Sequence, residues 1–228
     1  MHTQAVEDYL KAIYDLARCG DAVSTSALAA RLDVAGASVS GMLKKLAAGK
    51  LVEHRPYQGV ALTAAGRRVA VEAIRHHRLI EAYLHEALGV PWDRVHAEAE
   101  RWEHVLSEDL EARMDAALGH PTHDPHGAPI PTPDLVLEEP DHPPLASLRP
   151  GQAATVAEVS DHDAELLRYV GALGLYPNTR FAVVAVAPFE GPLTIRLDGA
   201  EADQTLGRRA AEFISVRDLA PPSSPDAA

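Results

Sequence analysis

Residues 24–55 read STSALAARLDVAGASVSGMLKKLAAGKLVEHR, and their pattern of apolar and turn residues indicates how the first part of the chain folds. The spacing of apolar residues predicts one helix over residues 26–34 and a second over about residues 36–48. Gly36 lies in the short turn between the two helices, and Gly49 marks the C-terminal end of the second. Two helices joined by a short turn indicate a helix-turn-helix.

The neighbouring sequence extends this motif on both sides. An amphipathic helix is predicted over residues 4–18, and the runs at 51–55 and 60–63 flank a Pro- and Gly-containing turn, as in a β-hairpin. Helix, helix-turn-helix and hairpin in this order are typical of a winged helix-turn-helix that reads DNA with its second helix. A winged helix used only for protein contacts is the alternative. The candidate DNA contacts are Ser38, Ser40, Gly41, Lys44, Lys45, Arg55 and Tyr57.

Charge is divided unequally along the chain. The net charge is -12, yet residues 1–75 carry ten Lys/Arg against seven Asp/Glu, and residues 76–228 carry eleven against twenty-six. A basic head on an acidic body suits DNA binding. The single cysteine, Cys19, rules out an intrachain disulfide and a thiolate zinc finger. No apolar run is long enough to span a bilayer and no leader is evident, so we expect a cytoplasmic protein.

The rest of the chain predicts a mainly α protein with β structure in its last third. Long helices are predicted over residues 63–88, capped by Thr63, and over residues 92–118. Four β-rich runs and one short helix indicate a small SH3-like β-barrel. The predicted units are a DNA-binding domain (1–75), a helical dimerisation and metal-binding domain (76–140), a linker (141–151), the SH3-like domain (152–220) and a disordered tail (221–228).

Carboxylates and imidazoles recur at helical spacing in the two long helices predicted over residues 63–88 and 92–118. At about 100° per residue, His96, Glu100, Glu103 and His104 share one flank of the helix predicted over residues 92–118. His96 and His104 are about 12 Å apart along such a helix, whereas metal–ligand bonds are about 2 Å long. We therefore expect two divalent ions.

Partners for each ion come from other helices. His77 and Glu81 are i, i+4 neighbours that could complete the site at His96, and Asp8 on the first helix could complete the site at Glu103 and His104. A solvated helix face is the plain alternative for any one pair. A metal-storing protein or a di-metal hydrolase uses similar residues, but no nucleophile or phosphate loop accompanies them here. His120, His123 and His126 lie in a proline-rich stretch, where solvated loop histidines are expected.

The motifs VEDYLKAIYDL, LAARLDVAGASVSGMLKKL, HRLIEAYL, VHAEAERWEHVLSEDLEARM and HGAPIP resemble the diphtheria-toxin-repressor (DtxR/MntR) family of metal-dependent transcription regulators. The resemblance extends to about residue 220. It implies a protein that is not an enzyme and that binds palindromic double-stranded operator DNA as a metal-loaded homodimer. It also implies two metal sites per subunit. Whether such a regulator represses or activates is left open by the residues.

The ligands implied by the resemblance divide into two sets. One set is His77, Glu81 and His96, joined in long members by two residues of the SH3-like domain that correspond to Glu158 and Asp161. The other is Asp8, Glu100, Glu103 and His104. The second set connects the first helix to the body and is the expected switch, whereas the first is the expected brace for the SH3-like domain.

The ligand types indicate the metal. Iron-responsive members carry Met and Cys at the positions of Asp8 and Glu100, and two hard carboxylates favour Mn²⁺ over Fe²⁺. Cd²⁺ or Zn²⁺ could occupy the same ligands as substitutes. Lys11 stands where shorter manganese-responsive members often have a glutamate, which argues against a closely spaced two-manganese cluster. An iron-dependent regulator and a constitutive DNA-binding protein with structural metals remain the alternatives.

The predicted dimer interface lies in the helices of residues 76–118. The apolar side chains expected to supply its area are Leu84, Leu88, Trp92 and Leu106.

Overall fold

The structure is a computed structural model that describes residues 3–17, 22–55 and 59–220, with backbone only at residues 54 and 55. Cys19, Tyr57 and the predicted tail at 221–228 therefore lie outside the described residues. In the part of the chain that is described, no helix is long and apolar enough to cross a membrane.

The N-terminal unit has the predicted winged helix-turn-helix order. Its elements are α1 (Gln4–Ala17), α2 (Thr25–Leu32), α3 (Gly36–Ala48), β1 (Val52–Arg55) and β2 (Gly59–Leu62). Ser24 caps α2, because its hydroxyl oxygen accepts a hydrogen bond from the backbone N–H of Ala27 at 3.0 Å. The unit is held together by a single apolar core, with Leu10, Leu28 and Val39 fully buried in it.

Helix α4 (Ala64–Glu86) connects this unit to the body. Thr63 caps it as predicted, accepting from the N–H of Gly66 at 3.1 Å. A Cβ atom at Gly66 would lie 1.9 Å from the carbonyl oxygen of Leu51, so only glycine allows the helix to start this close to the hairpin. The first half of α4 packs in the N-terminal core and the second half, with Leu79 and Ile80, in a separate core.

The prediction of a single helix over residues 92–118 is wrong. The chain forms two helices there, α5 (Val95–Trp102) and α6 (Glu108–Ala117). The Ser107 hydroxyl accepts from the N–H of Leu110, and three acidic residues occupy the first turn of α6, both of which favour a new helix start. Glu103 and His104 consequently lie in the turn that follows α5 rather than in mid-helix.

The C-terminal part is a five-stranded antiparallel barrel-like sheet of the predicted SH3-like kind. Its elements are β3 (Ala153–Val159), α7 (Ala164–Ala172), β4 (Arg180–Val186), β5 (Leu193–Leu197), β6 (Gln204–Leu206), α8 (Arg208–Ala211) and β7 (Ile214–Ala220). The strand order is β6-β5-β4-β3-β7. The sequence analysis missed β6 and α8, which at three and four residues are too short to show a period.

The core of this barrel extends beyond the predicted domain. Leu145 and Leu148, which the sequence analysis placed in the linker, are buried in it. Trp92 is buried there too, with its ring 4.7 Å from that of Tyr176. The prediction that Trp92 and Leu84 supply a dimer surface is therefore wrong, because both are buried within one chain. Trp92 instead fixes the barrel against the segment between α4 and α5.

Candidate metal centre and nucleic-acid interface

Helix α1 and the turn after α5 bring Asp8, Glu103 and His104 together, and we name these three residues the Asp8 cluster. Nε2 of His104 lies 3.0 Å from Oδ1 of Asp8 and 3.5 Å from Oε1 of Glu103. This nitrogen is buried and has no hydrogen-bond partner among the described residues. An unsatisfied imidazole nitrogen between two carboxylates is the donor set that a divalent metal needs.

Glu7 orients this histidine, a role that the sequence analysis missed. Nδ1 of His104 donates a hydrogen bond to Oε2 of Glu7 at 2.7 Å, which leaves the lone pair on Nε2 toward the cluster. Metal-bound histidines are usually held in this way by a carboxylate behind the ring. The signal available in the sequence was the adjacent Glu7-Asp8 pair on an amphipathic helix. In the structure, Glu7 lies at Nδ1 of His104 and Asp8 lies at Nε2.

A second group, which we name the His77 cluster, consists of His77, Glu81, His96 and Asp161. Oε1 of Glu81 lies 3.1 Å from Nε2 of His77 and 3.4 Å from Nδ1 of His96. Asp161, in the loop after β3, places Oδ2 3.0 Å from Nδ1 of His96. The SH3-like domain thus contributes one side chain to the cluster. Glu158 lines the adjoining cavity, but no ion pair joins it to these four within the described residues.

His77 connects the two clusters. Its Nε2 faces Glu81 and lies 3.1 Å from Nδ1 of His96, while its Nδ1 hydrogen bonds to Oε2 of Glu103. Glu100 also lies between the clusters rather than beside Asp8, with Oε1 3.8 Å from Nδ1 of His77. The structure therefore brings eight of the nine predicted ligands into one continuous network of side chains.

Lys11 occupies the space between the clusters. Its ammonium nitrogen donates to Oε1 of Glu100 at 2.8 Å and to both carboxylate oxygens of Glu103, at 2.9 and 3.0 Å. Glu103 is fully buried, so the lysine supplies the positive charge that this carboxylate needs. Burial lowers the pKa of Lys11, but the charges of Glu103 and Glu100 outweigh burial and raise it.

The carboxylates hold protons on the histidines of the His77 cluster. Burial lowers the pKa of His77, but the charge of Glu81 and its hydrogen bonds raise it to about 9. Burial opposes the charged form of His96 as well, yet its hydrogen bonds to Asp161 and Glu81 raise the pKa to about 10. Burial raises the pKa of Asp161, and the hydrogen bond from His96 lowers it further than burial raises it. The carboxylates of the cluster therefore favour positive charge on its two histidines.

The loop after α6 corrects one expectation about its histidines. His120 and His123 are exposed, as predicted for a solvated loop. His126 is buried instead, with its ring stacked 5.7 Å from that of Trp92. The proline-rich composition concealed this, because the loop folds back between α4 and the barrel instead of running over the surface.

The candidate DNA contacts on α3 share its outer face. Val39, Leu43 and Leu46 face the core. All five predicted residues of this helix are exposed, namely Ser38, Ser40, Gly41, Lys44 and Lys45. The Ser40 hydroxyl donates to the carbonyl oxygen of Gly36 at 3.0 Å. The other two predicted contacts, the Arg55 side chain and Tyr57, lie outside what the structure describes.

Comparison with known proteins assigns the family. The chain is 34% identical over 222 residues to the iron-dependent repressor IdeR of Mycobacterium tuberculosis, which covers 92% of this chain and 95% of that protein. The chain belongs to the diphtheria-toxin-repressor family of metal-dependent transcriptional repressors. It is therefore a repressor rather than an enzyme. The diphtheria toxin repressor of Corynebacterium diphtheriae is 35% identical over 125 residues, which is 55% of each chain.

Three family models match successive parts of this repressor. They are "Iron dependent repressor, N-terminal DNA binding domain" at residues 1–60, "Iron dependent repressor, metal binding and dimerisation domain" at 63–132, and "FeoA domain" at 144–218. The repressor thus has a DNA-binding domain, a metal-binding and dimerisation domain, and a FeoA-type SH3-like domain, as the resemblance implied.

Solved structures of similar repressors include one in complex with manganese and one with bound Cd²⁺. A manganese-dependent transcriptional repressor in complex with manganese is 42% identical, with a TM-score of 0.86, and the match covers 92% of this chain and 98% of that one. The repressor ScaR with bound Cd²⁺ is 30% identical, with a TM-score of 0.78 and coverage of 93% and 98%.

Proposed function

We propose that this repressor is manganese-dependent and binds palindromic operator DNA as a metal-loaded homodimer, controlling genes of metal uptake and homeostasis. The donor set of the Asp8 cluster carries the proposal. Its three members offer two carboxylates and an imidazole nitrogen, with Glu100 nearby as a third carboxylate. Hard oxygen donors without a thiolate or thioether favour Mn²⁺. The likeness to a manganese-dependent repressor supports the same assignment.

Two groups of residues would hold the ions. The Asp8 cluster with Glu100 forms the switch site, and the His77 cluster, with Glu158 as a further candidate ligand beside it, forms the brace. The buried, unpartnered Nε2 of His104 fits a metal at the switch site. A bound Mn²⁺ supplies two positive charges to carboxylates that would otherwise repel one another.

The switch works through the position of α1. Asp8 lies on this helix, and Leu10 and Ile13 of the same helix are fully buried in the core of the N-terminal DNA-binding unit. Glu103 and His104 belong to the body. Holding Asp8 against them fixes the N-terminal DNA-binding unit relative to the body. A dimer then presents its two α3 helices one DNA turn apart, about 34–36 Å. Without that connection, other arrangements are populated and DNA binding weakens.

The dimer surface is proposed to lie on the exposed apolar side chains of the helical domain. Those that remain solvent-exposed in the single chain are Leu88, Trp102, Val105 and Leu110. Val105 is 79% exposed, although it immediately follows the ligand His104. Burial of this surface in a dimer would therefore also bury one side of the switch site, which links metal binding to dimerisation.

Operator gel shifts across titrations of Mn²⁺, Fe²⁺, Zn²⁺ and Cd²⁺ test the proposal. We expect Mn²⁺ to tighten DNA binding by the wild type, and Asp8→Ala to remove that response. Asp109→Ala, an acidic residue on the exposed face of α6, is the matched control and should respond like the wild type. A flat Mn²⁺ response would show a constitutive DNA-binding protein, and a response to Fe²⁺ alone would show an iron-dependent repressor.

A further inference from the structure

His76 forms hydrogen bonds to two separate segments from its buried position on α4. Its Nδ1 donates to the backbone carbonyl oxygen of Glu103 at 3.2 Å, and its Nε2 donates to Oε2 of Glu111 at 3.1 Å. A carbonyl oxygen and an ionised carboxylate are acceptors only, so both ring nitrogens carry a hydrogen and the ring is positively charged. The ring therefore joins the turn after α5 to helix α6 through the interior of the protein.

Glu111 fixes the α6 end of this connection. Its Oε1 accepts a hydrogen bond from Nε of Arg75, so the carboxylate receives one hydrogen bond from each of two neighbouring side chains of α4. Arg75 is buried and also donates through Nη1 to the carbonyl oxygen of Pro131 at 2.5 Å. Hydrogen bonds between ionised groups are stronger than those between neutral groups. Glu111 is thus held at both oxygens, and α6 cannot shift along α4 without breaking one of these bonds.

The turn that His76 holds carries Glu103 and His104, two of the three members of the Asp8 cluster. Glu103 follows the last residue of α5, and His104 comes next in the chain. The carbonyl that accepts from His76 belongs to the peptide bond between these two residues. His104 in turn places Nε2 3.0 Å from Oδ1 of Asp8. A hydrogen bond to the backbone between the two candidate ligands therefore sets how both of them approach Asp8.

We propose that His76 and Glu111 are positioning residues of the metal switch. They hold the peptide bond between Glu103 and His104 so that both side chains lie at the distance from Asp8 that a single ion can span. This inference rests on the function proposed above and names what supports that same site. Neither His76 nor Glu111 belongs to the Asp8 cluster. Their effect on the ion passes through the backbone of its ligands, as an outer contact of the metal site.

Packing of α6 against α4 is the plain alternative role for Glu111, and Asp115 provides the comparison. Asp115 lies one turn further along α6 and is 7% exposed, against 8% for Glu111. Its Oδ1 lies 3.5 Å from Nη2 of Arg75, and its Oδ2 pairs with His120. Both carboxylates therefore hold α6 to Arg75, whereas the hydrogen bond from His76 goes to Glu111. The two residues form a matched pair that separates positioning from packing.

The Mn²⁺ affinity of the switch site tests the positioning role. We measure it by competition with a chromophoric chelator on the full-length chain carrying His96→Ala, which removes a candidate ligand of the His77 cluster. Glu111→Ala and His76→Gln should each weaken binding about tenfold or more, the usual effect of losing an outer contact. Glu111→Gln retains an oxygen for His76 and should lose less. Asp115→Asn should destabilise the chain in urea unfolding yet keep the Mn²⁺ affinity of the parent chain.

Two results would overturn the positioning role. Unchanged affinity in Glu111→Ala and His76→Gln would show that the connection does not reach the ion. Equal losses of affinity in Glu111→Ala and Asp115→Asn would show that the packing of α6 is all that the site requires.

A double variant covers the case in which an alanine at this buried position prevents folding. His76→Gln and Glu111→Gln break the same connection, so the double variant should lose no more affinity than the larger single loss. Losses that add would show two independent effects and contradict the proposal. Because the chelator competition contains no DNA, it tests the positioning role separately from the manganese-dependent DNA binding that the gel shift measures.

Discussion

The ammonium nitrogen of Lys11 lies 2.9 Å from Oε1 of the fully buried Glu103. Glu103 belongs to the Asp8 cluster, and it also receives a hydrogen bond from His77 of the other cluster. Lys11 therefore acts as an internal cation for a carboxylate that the proposed metal also needs. Lys11 thus places a fixed positive charge between the two candidate metal sites. A glutamate at this position would instead have offered a metal ligand.

Lys11→Gln is expected to destabilise the metal-free chain more than the metal-loaded chain. Removing one partner of a buried ion pair costs roughly 3–5 kcal/mol. With Mn²⁺ present the ion compensates Glu103, so the loss should be smaller and the apparent Mn²⁺ affinity higher. Urea unfolding with and without Mn²⁺ measures both effects, with Lys44→Gln on the exposed face of α3 as the control. Equal losses in the two states would show that Lys11 does not compete with the metal.

Glu7→Gln should weaken the switch site although Glu7 is not a proposed ligand. The carboxylate fixes the tautomer of His104 through its Nδ1, and loss of such outer contacts typically costs 10–100-fold in metal affinity. Competition of Mn²⁺ with a chromophoric chelator measures the affinity, and the operator gel shift should move to higher Mn²⁺ by the same factor. Glu98→Gln, a surface residue paired with Arg101, is the control. Unchanged affinity in Glu7→Gln would remove Glu7 from the site.

The elements predicted correctly are those in which apolar residues recur at a regular spacing along the chain. The features that depend on contacts between distant segments were not predicted. The winged helix was predictable because Val39, Leu43 and Leu46 mark one helix face. The break between α5 and α6 was not, since the apolar spacing continues through Ser107, whereas Ser107 caps the start of a new helix. Burial of Trp92 was also missed, because it depends on the docking of a domain far along the chain.

The same distinction applies to the candidate site. Helix spacing alone separated His96 from His104, and the structure places them in different clusters. The resemblance supplied Asp161, which contacts His96 across domains. Spacing could not reveal that Lys11 reaches Glu103, that Glu7 lies behind His104, or that His126 is buried, since each depends on tertiary contacts between separate segments.

Mn²⁺ binding to the His77 cluster is expected to release protons at neutral pH. The pKa values of His77 and His96, about 9 and about 10, mean that both rings are protonated in the metal-free chain at pH 7. Each must lose a proton to coordinate. Raised histidine pKa values stabilise the metal-free fold fully below about pH 6.5, and this contribution is lost as the pH rises through 9 to 10. Metal affinity should therefore rise with pH over that window.

Calorimetry of the Asp8→Ala variant isolates this effect by removing the switch site. The apparent enthalpy of Mn²⁺ binding should depend on the ionisation enthalpy of the buffer, with a slope of about two protons released for the two histidines. An enthalpy independent of the buffer would contradict the protonated state of the cluster.

Asp161→Asn should weaken the link between the SH3-like domain and the body while the switch remains. Asp161 lies 3.0 Å from His96 and is the one member of the His77 cluster that comes from the C-terminal domain. The amide keeps the shape but removes the charge, so we expect the Mn²⁺ affinity of this cluster to fall about tenfold, or about 1.4 kcal/mol. The Mn²⁺-induced rise in Tm should shrink accordingly. Asp203→Asn, paired with Arg196 at the surface, should retain the full rise. Because the Asp8 cluster is untouched, DNA binding by Asp161→Asn should still require Mn²⁺, and a loss of that requirement would show that the two clusters do not have separate roles.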